Sequence, residues 1–346
     1  MSPYEKTKSD LKNEPRTWLV TGVAGFIGSN LLQSLLSLNQ NVVGIDNFLT
    51  GKRRNLDEVG KELGADAWRR FRFIEGDLRN LETCMKAVEG VDYVLHQAAL
   101  GSVPRSVENP IRTHDHNLNG FLNILWAAKG GRVKRFLFAS SSSVYGDHEA
   151  LPKREDVTGN PLSPYAVTKQ AGERYASTFA RTYGMEVIGL RYFNVFGPRQ
   201  DPAGEYAAVI PRWIASMIRN EPVVIFGDGE TSRDFSYVEN VIQANLLAAV
   251  VTDSRAVNHI YNVAVGEKTS LKDLFELLRS LLVGRFPHLR DFRPEYRDFR
   301  NGDIRHSHAD ISKAVRLLGY APAYKVRDGL EHSLDWYLQS GHANRD

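Results

Sequence analysis

The sequence has very little cysteine and no long apolar run. Its 346 residues include one cysteine, Cys84, so no disulfide can form within the chain. No apolar stretch approaches the ~20 residues that a helix needs to span a bilayer. Residues 1–16 are polar and lack the apolar core of a signal peptide. We therefore expect a soluble cytoplasmic protein that has no membrane partner.

The sequence also lacks a strong excess of either charge. Its 44 basic and 41 acidic residues give a formal net charge of +3, too small to indicate a nucleic-acid partner. The densest basic stretch, GKRRN with AWRRFRF after it, is expected to be solvated surface. His114 and His116 stand close together, but no Cys or Glu partner accompanies them, so we expect no metal site.

Short apolar strands alternate with longer helical stretches from residue 17 onward, which predicts a parallel sheet covered by helices on both faces. We predict an α/β protein with a Rossmann-type doubly wound parallel sheet over residues 17–197. A smaller mixed α/β region over residues 198–346 would bind the substrate. Residues 1–16 form a polar extension. The boundary at 197 is soft because no Gly/Ser- or Pro-rich linker separates the two regions, so the chain is free to cross between them.

A glycine-rich loop stands between the first predicted strand and the first predicted helix. The stretch VTGVAGFIGSN carries Gly22, Gly25 and Gly28, which permit a tight turn and close approach of the backbone to a pyrophosphate. Asp46 ends the second strand, where the acid of a dinucleotide-binding motif bonds ribose hydroxyls. A carboxylate there repels a 2′-phosphate, so the pattern predicts NAD rather than NADP. Asp77, at the end of the third strand, would lie near the adenine or cap a helix.

Four serines, Ser140 to Ser143, follow the fifth predicted strand. Tyr165 and Lys169 stand four positions apart in SPYAVTK, so a helix would place them on one face. An isolated phenol titrates near ~10, and a nearby cation lowers that pKa. The pattern predicts a base, Tyr165, tuned by Lys169, with hydroxyl groups beside it.

These motifs together resemble the extended short-chain dehydrogenase/reductases, and among them the nucleotide-sugar 4-epimerases. The resemblance runs from Trp18 to about Trp336 and is nearest to the bacterial epimerases that act on UDP-GlcNAc and UDP-GalNAc. The stretches that carry it are TGVAGFIGSNL, DNF, GDLRN, HQAA, ALGSVPRS, SSVYG, SPYAVTK, RYFNVFGPRQ, RDFSYVENV and GDIRHSHADISKA.

The resemblance implies a role for each matching residue. Tyr165 is the catalytic base, Lys169 lowers its pKa and binds the nicotinamide ribose, and Ser141 matches the catalytic Ser/Thr position. The residues implied around NAD are Gly22, Gly25, Phe26, Ile27, Gly28, Asp46, Asn47, Asp77, Leu78, Gln97, Ala98, Ala99, Tyr165, Lys169 and Tyr192. Those implied around the UDP-sugar are Gly101, Ser102, Ser141, Ser142, Ser143, Tyr165, Asn194, Ile225, Phe226, Arg233, Arg300, Asp303 and Ser307.

The implied reaction is NAD-dependent C4 epimerisation of UDP-N-acetylhexosamines through a transient 4-keto sugar, in a homodimer. Ser307 occupies the position where enzymes restricted to UDP-glucose carry a tyrosine, so it leaves room for an N-acetyl group. Substrates could instead be UDP-hexoses or UDP-N-acetylhexosaminuronic acids, since His306 and His308 flank that serine. A nucleotide-sugar dehydratase needs an Asp-Glu pair at the positions that Ser142 and Ser143 occupy here. The sequence excludes a decarboxylase less well. A non-catalytic NAD-binding regulator remains a further alternative.

Overall fold

Strands and helices alternate along the chain, as the sequence predicted. The computed structural model describes residues 1–202, 207–299 and 304–343, with side chains as far as Gln339. The strands are β1 (Thr17–Thr21), β2 (Asn41–Asp46), β3 (Phe71–Glu75), β4 (Tyr93–His96), β5 (Arg135–Ser141), β6 (Val187–Tyr192), β7 (Val195–Phe196), β8 (Val224–Phe226), β9 (Ser232–Arg233), β10 (Ser236–Tyr237), β11 (His259–Val263), β12 (Thr269–Ser270), β13 (Glu295–Arg297) and β14 (His306–Ser307).

The helices cover the sheet and build the second region. They are α1 (Pro3–Asn13), α2 (Phe26–Ser37), α3 (Arg53–Trp68), α4 (Leu81–Ala87), α5 (Val103–Glu108), α6 (Pro110–His114), α7 (Gly120–Gly130), α8 (Pro164–Tyr183), α9 (Val209–Ile218), α10 (Val238–Val250), α11 (Leu271–Leu282), α12 (Ser312–Leu318) and α13 (Val326–Ala343). A π-helical turn, Asp115–Asn119, joins α6 to α7.

The central sheet has seven strands in the order β11-β6-β5-β4-β1-β2-β3. Every pairing in it is parallel, which confirms the predicted α/β class. Strand β1 has β2 on one side and β4 on the other. The chain therefore adds strands in one direction from β1 to β3 and in the opposite direction from β4 onward. A crevice opens outside the carboxyl ends of parallel strands at such a point, and ligands bind there.

Successive residues of the strands face two different apolar cores. Val20 and Leu95 pack on one side of the sheet with residues of α2 and α10. Leu19 and Val94 pack on the other side with residues of α4, α7 and α8. Because both faces are buried, the strands read as continuous apolar runs rather than as alternating patterns.

The second region has its own apolar core. Trp213 of α9, Ile225 of β8, Leu274 of α11 and Tyr337 of α13 belong to one buried cluster. Helix α11 begins where the sequence predicted, because the Ser270 hydroxyl accepts a hydrogen bond from the backbone N–H of Asp273 (3.0 Å). This core anchors the small sheets that carry several of the predicted substrate residues.

The chain crosses back from the second region into the first. Strand β11 pairs with β6 along its whole length, and Tyr261 lies opposite Leu190. Helix α10 packs in the same core as α2. Residues beyond 197 therefore complete the central sheet. The boundary at residue 197 remains a prediction about which part of the chain binds the substrate. Structurally, β11 and α10 belong to the first region.

The predicted polar extension contains a helix that the sequence did not reveal. The Ser2 hydroxyl caps α1 by accepting from the backbone N–H of Glu5 (3.2 Å). Leu11 is buried, and the Gln40 side chain donates to its carbonyl oxygen (2.6 Å). The helix has too few apolar residues to show a clear period. Within the described ranges, no helix combines the length and the apolar character needed to cross a membrane.

Candidate active site

The glycine loop opens a cavity at the amino end of α2. Gly22 has φ +67°, and a Cβ on Gly28 would lie 2.1 Å from the Gly22 carbonyl oxygen, so both positions require glycine. Gly25 caps α2 without a side-chain hydrogen bond, which leaves the first backbone N–H groups of the helix for a ligand. The cavity beside them measures about 370 Å³, and we call it the glycine-loop cavity. Its polar N–H groups and helix dipole favour a phosphate.

Asp46 stands at the wall of this cavity and holds the loops around it. One carboxylate oxygen accepts from the backbone N–H of Ala24 (3.0 Å), and the other accepts from Phe48 (2.8 Å). Burial raises the pKa of Asp46, and these backbone N–H groups oppose the rise. Each oxygen keeps a second lone pair, so the carboxylate can still accept from ribose hydroxyls.

Asp77 lies across the cavity in a network of charges. Arg79 donates to Asp77 (2.9 Å) and to Asp115 (2.7 Å), and the Asn47 amide also donates to Asp77 (2.9 Å). The hydrogen bonds from Arg79 lower the pKa of Asp77 to about 2. The carboxylate is therefore ionised at any physiological pH and can accept from an amino group.

Most of the predicted NAD residues meet in this one cavity. Those that line it are Gly22, Gly25, Phe26, Ile27, Gly28, Asp46, Asn47, Asp77, Leu78, Gln97, Ala98 and Ala99. Gly101, predicted near the sugar, also lines it. The sequence reading missed Lys52, Arg54, His116, Arg199 and Asp201. Lys52 and Arg54 belong to the stretch GKRRN and are exposed, as expected of solvated surface, but they also border the cavity.

Tyr165 and Lys169 lie one turn apart at the start of α8. The Ser163 hydroxyl caps the helix by accepting from the backbone N–H of Ala166 (3.2 Å). Lys169 Nζ lies 5.8 Å from the centre of the Tyr165 ring and donates to the carbonyl oxygen of Ala139 (2.8 Å). This bond fixes the ammonium group at the carboxyl end of β5.

Burial moves the pKa values of the pair in opposite directions. It lowers the pKa of Lys169 to about 8, although the negative charge of Glu173 opposes the change. It raises the pKa of Tyr165, while a hydrogen bond with Ser141 acts to lower it. The two groups have nearly equal pKa values in water, so burial separates them and places the pKa of Lys169 below that of Tyr165.

The four serines divide into two functions. Ser140 donates to Glu173 (2.5 Å), and Glu173 forms a buried ion pair with Arg191 (2.8 Å), so Ser140 belongs to the framework. The Ser141 hydroxyl accepts from the backbone N–H of Ser143 (3.1 Å) and from its hydroxyl (2.9 Å). Ser141 is therefore the serine that stands next to Tyr165.

Tyr192 links the glycine-loop cavity to the second region. Its hydroxyl donates to Gln97 (3.1 Å), a residue of the cavity wall, and accepts from the buried Asn245 (2.9 Å). Asn194 follows two residues later and lines another cavity. The carboxyl end of β6 thus lies between the two cavities. The sequence analysis missed Asn245 because the residue pattern of a buried helix does not indicate which amide side chain contacts the site.

The second cavity measures about 460 Å³, and we call it the arginine cavity after Arg212, Arg233 and Arg305 in its wall. Asn194, Phe226 and Arg233 line it, and all three were predicted around the UDP-sugar. The wall residues that the sequence reading missed are Val195, Phe196, Gln200, Ala208, Val209, Ile210, Arg212, Trp213, Val224, Thr231, Phe235, Leu271, Phe299 and Arg305. Arginines and aromatic rings together suit a diphosphate attached to a base.

Ile225 is a correction to the prediction. Its side chain is 0% exposed and points into the core of the second region, because β8 alternates its faces residue by residue. Its neighbours Val224 and Phe226 line the arginine cavity instead. Arg300 and Asp303, also predicted around the UDP, lie outside the residues that the structure describes.

Several predicted residues line neither cavity. They are Tyr165, Lys169, Ser102, Ser141, Ser142, Ser143, Tyr192 and Ser307. Ser307 lies beside Arg233 in a small sheet, in register with it. Ser102 has φ +114° and caps α5 by accepting from the backbone N–H of Arg105 (3.2 Å). In the described residues, no group of three or more His, Cys, Asp and Glu side chains is placed to hold a metal ion.

Known proteins share this arrangement. The model of the NAD dependent epimerase/dehydratase family matches residues 18–264. A putative UDP-glucose 4-epimerase of Methanocaldococcus jannaschii is 38% identical, over 92% of this chain and 97% of that protein. The UDP-N-acetylglucosamine 4-epimerase of Methanobrevibacter ruminantium, solved with UDP-N-acetylmuramic acid, is 38% identical with a TM-score of 0.85, covering 94% and 99%. The UDP-glucuronic acid 4-epimerase of Bacillus cereus, solved with UDP-glucuronic acid and NAD, is 33% identical with a TM-score of 0.81, covering 93% and 99%.

Proposed function

Given that the chain belongs to the NAD dependent epimerase/dehydratase family and is a UDP-sugar 4-epimerase, we propose that it interconverts UDP-GlcNAc and UDP-GalNAc. The observation that carries the choice of sugar is the set of small polar residues that the resemblance places around it: Ser102, Ser141, Ser142, Ser143 and Ser307. Small side chains leave space for an N-acetyl group, and hydroxyls can bond its amide. The relative solved with UDP-N-acetylmuramic acid supports an N-acetylated substrate.

The glycine-loop cavity fits NAD, the cofactor of the family. The uncapped N–H groups at the start of α2 suit the pyrophosphate, and the carboxyl groups of Asp46 and Asp77 suit hydroxyl and amino groups of an adenosine. In this proposal Lys169 holds the nicotinamide ribose. When bound, NAD would supply the acceptor and the donor of the hydride at the sugar carbon, so the reaction would involve no net oxidation.

The residues of the chain supply the proton chemistry. Tyr165 Oη takes the proton of the C4 hydroxyl, and the Lys169 ammonium group favours the phenolate that must form first. The Ser141 hydroxyl bonds the same C4 oxygen and holds it against Tyr165. After the sugar ring has turned over, Tyr165 returns the proton to the oxygen on the opposite face.

The arginine cavity holds the UDP while the sugar turns. Arg233 and Arg305 place positive charge where a diphosphate carries its negative charges, and Phe226 offers a flat apolar face for the uracil. A firm hold on the UDP keeps the 4-keto sugar in the site between the two hydride steps. The dehydratase alternative is disfavoured because Ser142 and Ser143 stand where that reaction needs an acidic pair.

The preference for N-acetylated sugars can be measured directly. We expect kcat/KM for UDP-GlcNAc and UDP-GalNAc to exceed that for UDP-Glc and UDP-Gal by about ten- to a hundred-fold, because the smaller sugars leave polar groups unpaired, at ~1–3 kcal/mol. Steady-state assays on these four UDP-sugars and on the UDP-linked uronic acid test this order of substrate preference. A preference for the uronic acid would favour the alternative that the glucuronic acid epimerase relative suggests.

The Ser307→Tyr variant tests the space argument separately. We expect it to lose most of its activity on the N-acetylated sugars, because the bulky ring fills the space that the acetyl group needs, and to keep its activity on the plain hexoses. Ser37→Tyr, at the exposed end of α2, is the control for adding a tyrosine elsewhere. Ser307 lines neither cavity in the structure, so unchanged N-acetyl activity in Ser307→Tyr would remove it from the specificity argument.

We also propose that the protein is a homodimer through an apolar surface on α5, α6, α7 and α8. Val107, Ile111, Trp126 and Val167 stand on this surface, and Ile111 and Val107 are 81% and 65% exposed. Ile111 and Val167 line one shallow groove. Exposed apolar residues on neighbouring helices favour a surface that another protein covers, and a second copy of the chain is the partner we propose.

A charge on this surface is expected to break the dimer. Ile111→Glu should raise the dimer dissociation constant by at least about thirty-fold, because burying an unpaired carboxylate costs about 2 kcal/mol or more. Analytical ultracentrifugation over a concentration series measures the change. Met85→Glu, exposed on α4, is the matched control and should leave the assembly as it was. A wild-type protein that sediments as a monomer at all concentrations would refute the proposal.

A further inference from the structure

The segment 198–202 lies between the two cavities and contributes side chains to both. Arg199 and Asp201 line the glycine-loop cavity, while Gln200, between them in sequence, lines the arginine cavity. The stretch RYFNVFGPRQ, which ends at Gln200, contributes to the resemblance, but no predicted role was assigned to residues 198–202. Its position makes it the one stretch of the described chain in which neighbouring residues alternate between the two sites.

Arg199 anchors the segment to the helix that begins at the glycine loop. Its guanidinium group is 4% exposed and donates to Ser29 (3.1 Å), Asn30 (2.7 Å) and Gln33 (2.5 Å) of α2. The Asn30 amide in turn donates to the carbonyl oxygen of Pro198 (3.0 Å). Arg199 has φ +67°, a left-handed conformation that a non-glycine residue keeps only where its surroundings hold it. The start of the segment is therefore fixed.

Asp201 connects the segment to the opposite wall of the cavity. Its carboxylate lies 3.6 Å from Lys52 Nζ and 3.8 Å from the Arg54 guanidinium group. Both cations belong to the loop that follows β2 and the start of α3, and both line the glycine-loop cavity. These ion pairs tie the two walls together with the cavity between them. They are partly exposed, so each is weak enough to open and close.

Gln200 connects the same segment to the second region. Its amide nitrogen donates to the Val195 carbonyl oxygen (3.0 Å), and its amide oxygen accepts from the Tyr337 hydroxyl (3.3 Å). The residues that follow at Ala208 and Val209 also line the arginine cavity. A ligand that fixes the wall of the arginine cavity therefore also fixes segment 198–202 and the position of Asp201.

We propose that Asp201 is a latch on the cofactor cavity and that a nucleotide in the arginine cavity holds it closed. NAD leaves only when the ion pairs to Lys52 and Arg54 open, and UDP slows that opening by fixing segment 198–202. To the extent that UDP raises the equilibrium affinity for NAD, NAD raises the affinity for UDP by the same factor, because the coupling of two binding free energies is reciprocal. Asp201 acts on retention of the cofactor and is a positioning residue. The nucleotide part of this inference rests on the proposed function.

The test is the rate at which holoenzyme exchanges its NAD. Protein loaded with isotopically labelled NAD is diluted into unlabelled NAD, with or without saturating UDP, and the retained label is followed by rapid gel filtration. For the wild type we expect UDP to slow release several-fold. Asp201→Asn should release NAD about three- to ten-fold faster, as expected for the loss of two partly exposed ion pairs, and UDP should no longer slow it.

Two controls keep the interpretation specific. Asp66→Asn removes an exposed ion pair with Arg69 at the far end of α3 and should leave the release rate unchanged. In a Lys52→Met/Arg54→Met background, Asp201→Asn should add little to the release rate, because the two ion pairs of the latch have already been removed. If the effects of these substitutions on the NAD release rate are fully additive, Asp201 acts through contacts other than those with Lys52 and Arg54.

The outcomes separate the latch from the proposed function. Calorimetry first measures UDP binding to the wild type, and failure to bind would overturn the nucleotide site and, with it, the coupling. If UDP binds but Asp201→Asn releases NAD at the wild-type rate, the latch is wrong. If Asp201→Asn releases NAD faster but UDP still slows it by the wild-type factor, the latch stands and the coupling through segment 198–202 is refuted.

Discussion

Replacement of Tyr165 by phenylalanine is expected to lower kcat by about 10²- to 10⁴-fold while leaving the affinity for UDP-sugars nearly unchanged. The variant lacks the oxygen that takes the C4 proton, and loss of a positioned acid–base group costs about this much. The ring itself remains, so the packing at the start of α8 is preserved. Steady-state kinetics together with calorimetric binding of UDP-GlcNAc to the variant separate the chemical step from binding.

The matched control is Tyr175→Phe, which removes a phenol from an outward-facing position of the same helix. It should keep nearly full activity. If Tyr165→Phe also stays within about tenfold of the wild type, another group takes the proton, and the role of Tyr165 as base is refuted.

Replacement of Lys169 by methionine is expected to lower activity at pH 7 by about 10²-fold or more and to change the shape of the pH profile. In the proposed mechanism the phenolate of Tyr165 is the active form, and burial raises the pKa of this phenol. Without the ammonium group the pKa rises further, so the ascending limb of kcat against pH moves upward. Lys169 itself, with a pKa of about 8, gives the wild type a descending limb.

The variant should therefore lose the descending limb, because methionine does not titrate. Lys169→Arg keeps a positive charge that does not titrate in this range, so it should lose the descending limb too but retain more activity at pH 7 than the methionine variant. Profiles of kcat from pH 6 to about pH 11 measure both effects, because the ascending limb depends on a phenol whose pKa is raised. An ascending limb at the same pH in the wild type and in Lys169→Met would show that Lys169 does not tune Tyr165.

The sequence was sufficient to predict the sheet and many of the residues that line the glycine-loop cavity, because local patterns determine both. Gly22, Gly25 and Gly28 mark a turn by their spacing, and Asp46 is found by counting to the end of the next strand. These residues lie at the ends of strands that pair in parallel, so their meeting in space follows from the topology alone.

The rest depended on contacts between distant parts of the chain. Arg199 contacts α2 from a loop some 170 positions later in the sequence, and no local sequence pattern predicts such a contact. The phase of the three-residue strand β8 could not be read from its sequence, which is why Ile225 was placed in the cavity instead of Val224. Lys52 and Arg54 are exposed cations, as the sequence indicated, but their pairing with Asp201 could not be predicted because Asp201 is remote in sequence.

The seventh strand of the central sheet has a consequence for how the protein is made. Strand β11 is formed by His259–Val263, and its neighbour β6 ends at Tyr192. During synthesis the ribosome therefore completes the glycine loop, Tyr165 and Lys169 long before it adds the strand that covers the edge of β6. Until residue 263 has emerged, the growing chain presents the open backbone of β6 to other nascent chains, and that edge can pair wrongly. The N-terminal half cannot complete its sheet until a large part of the C-terminal half has been made.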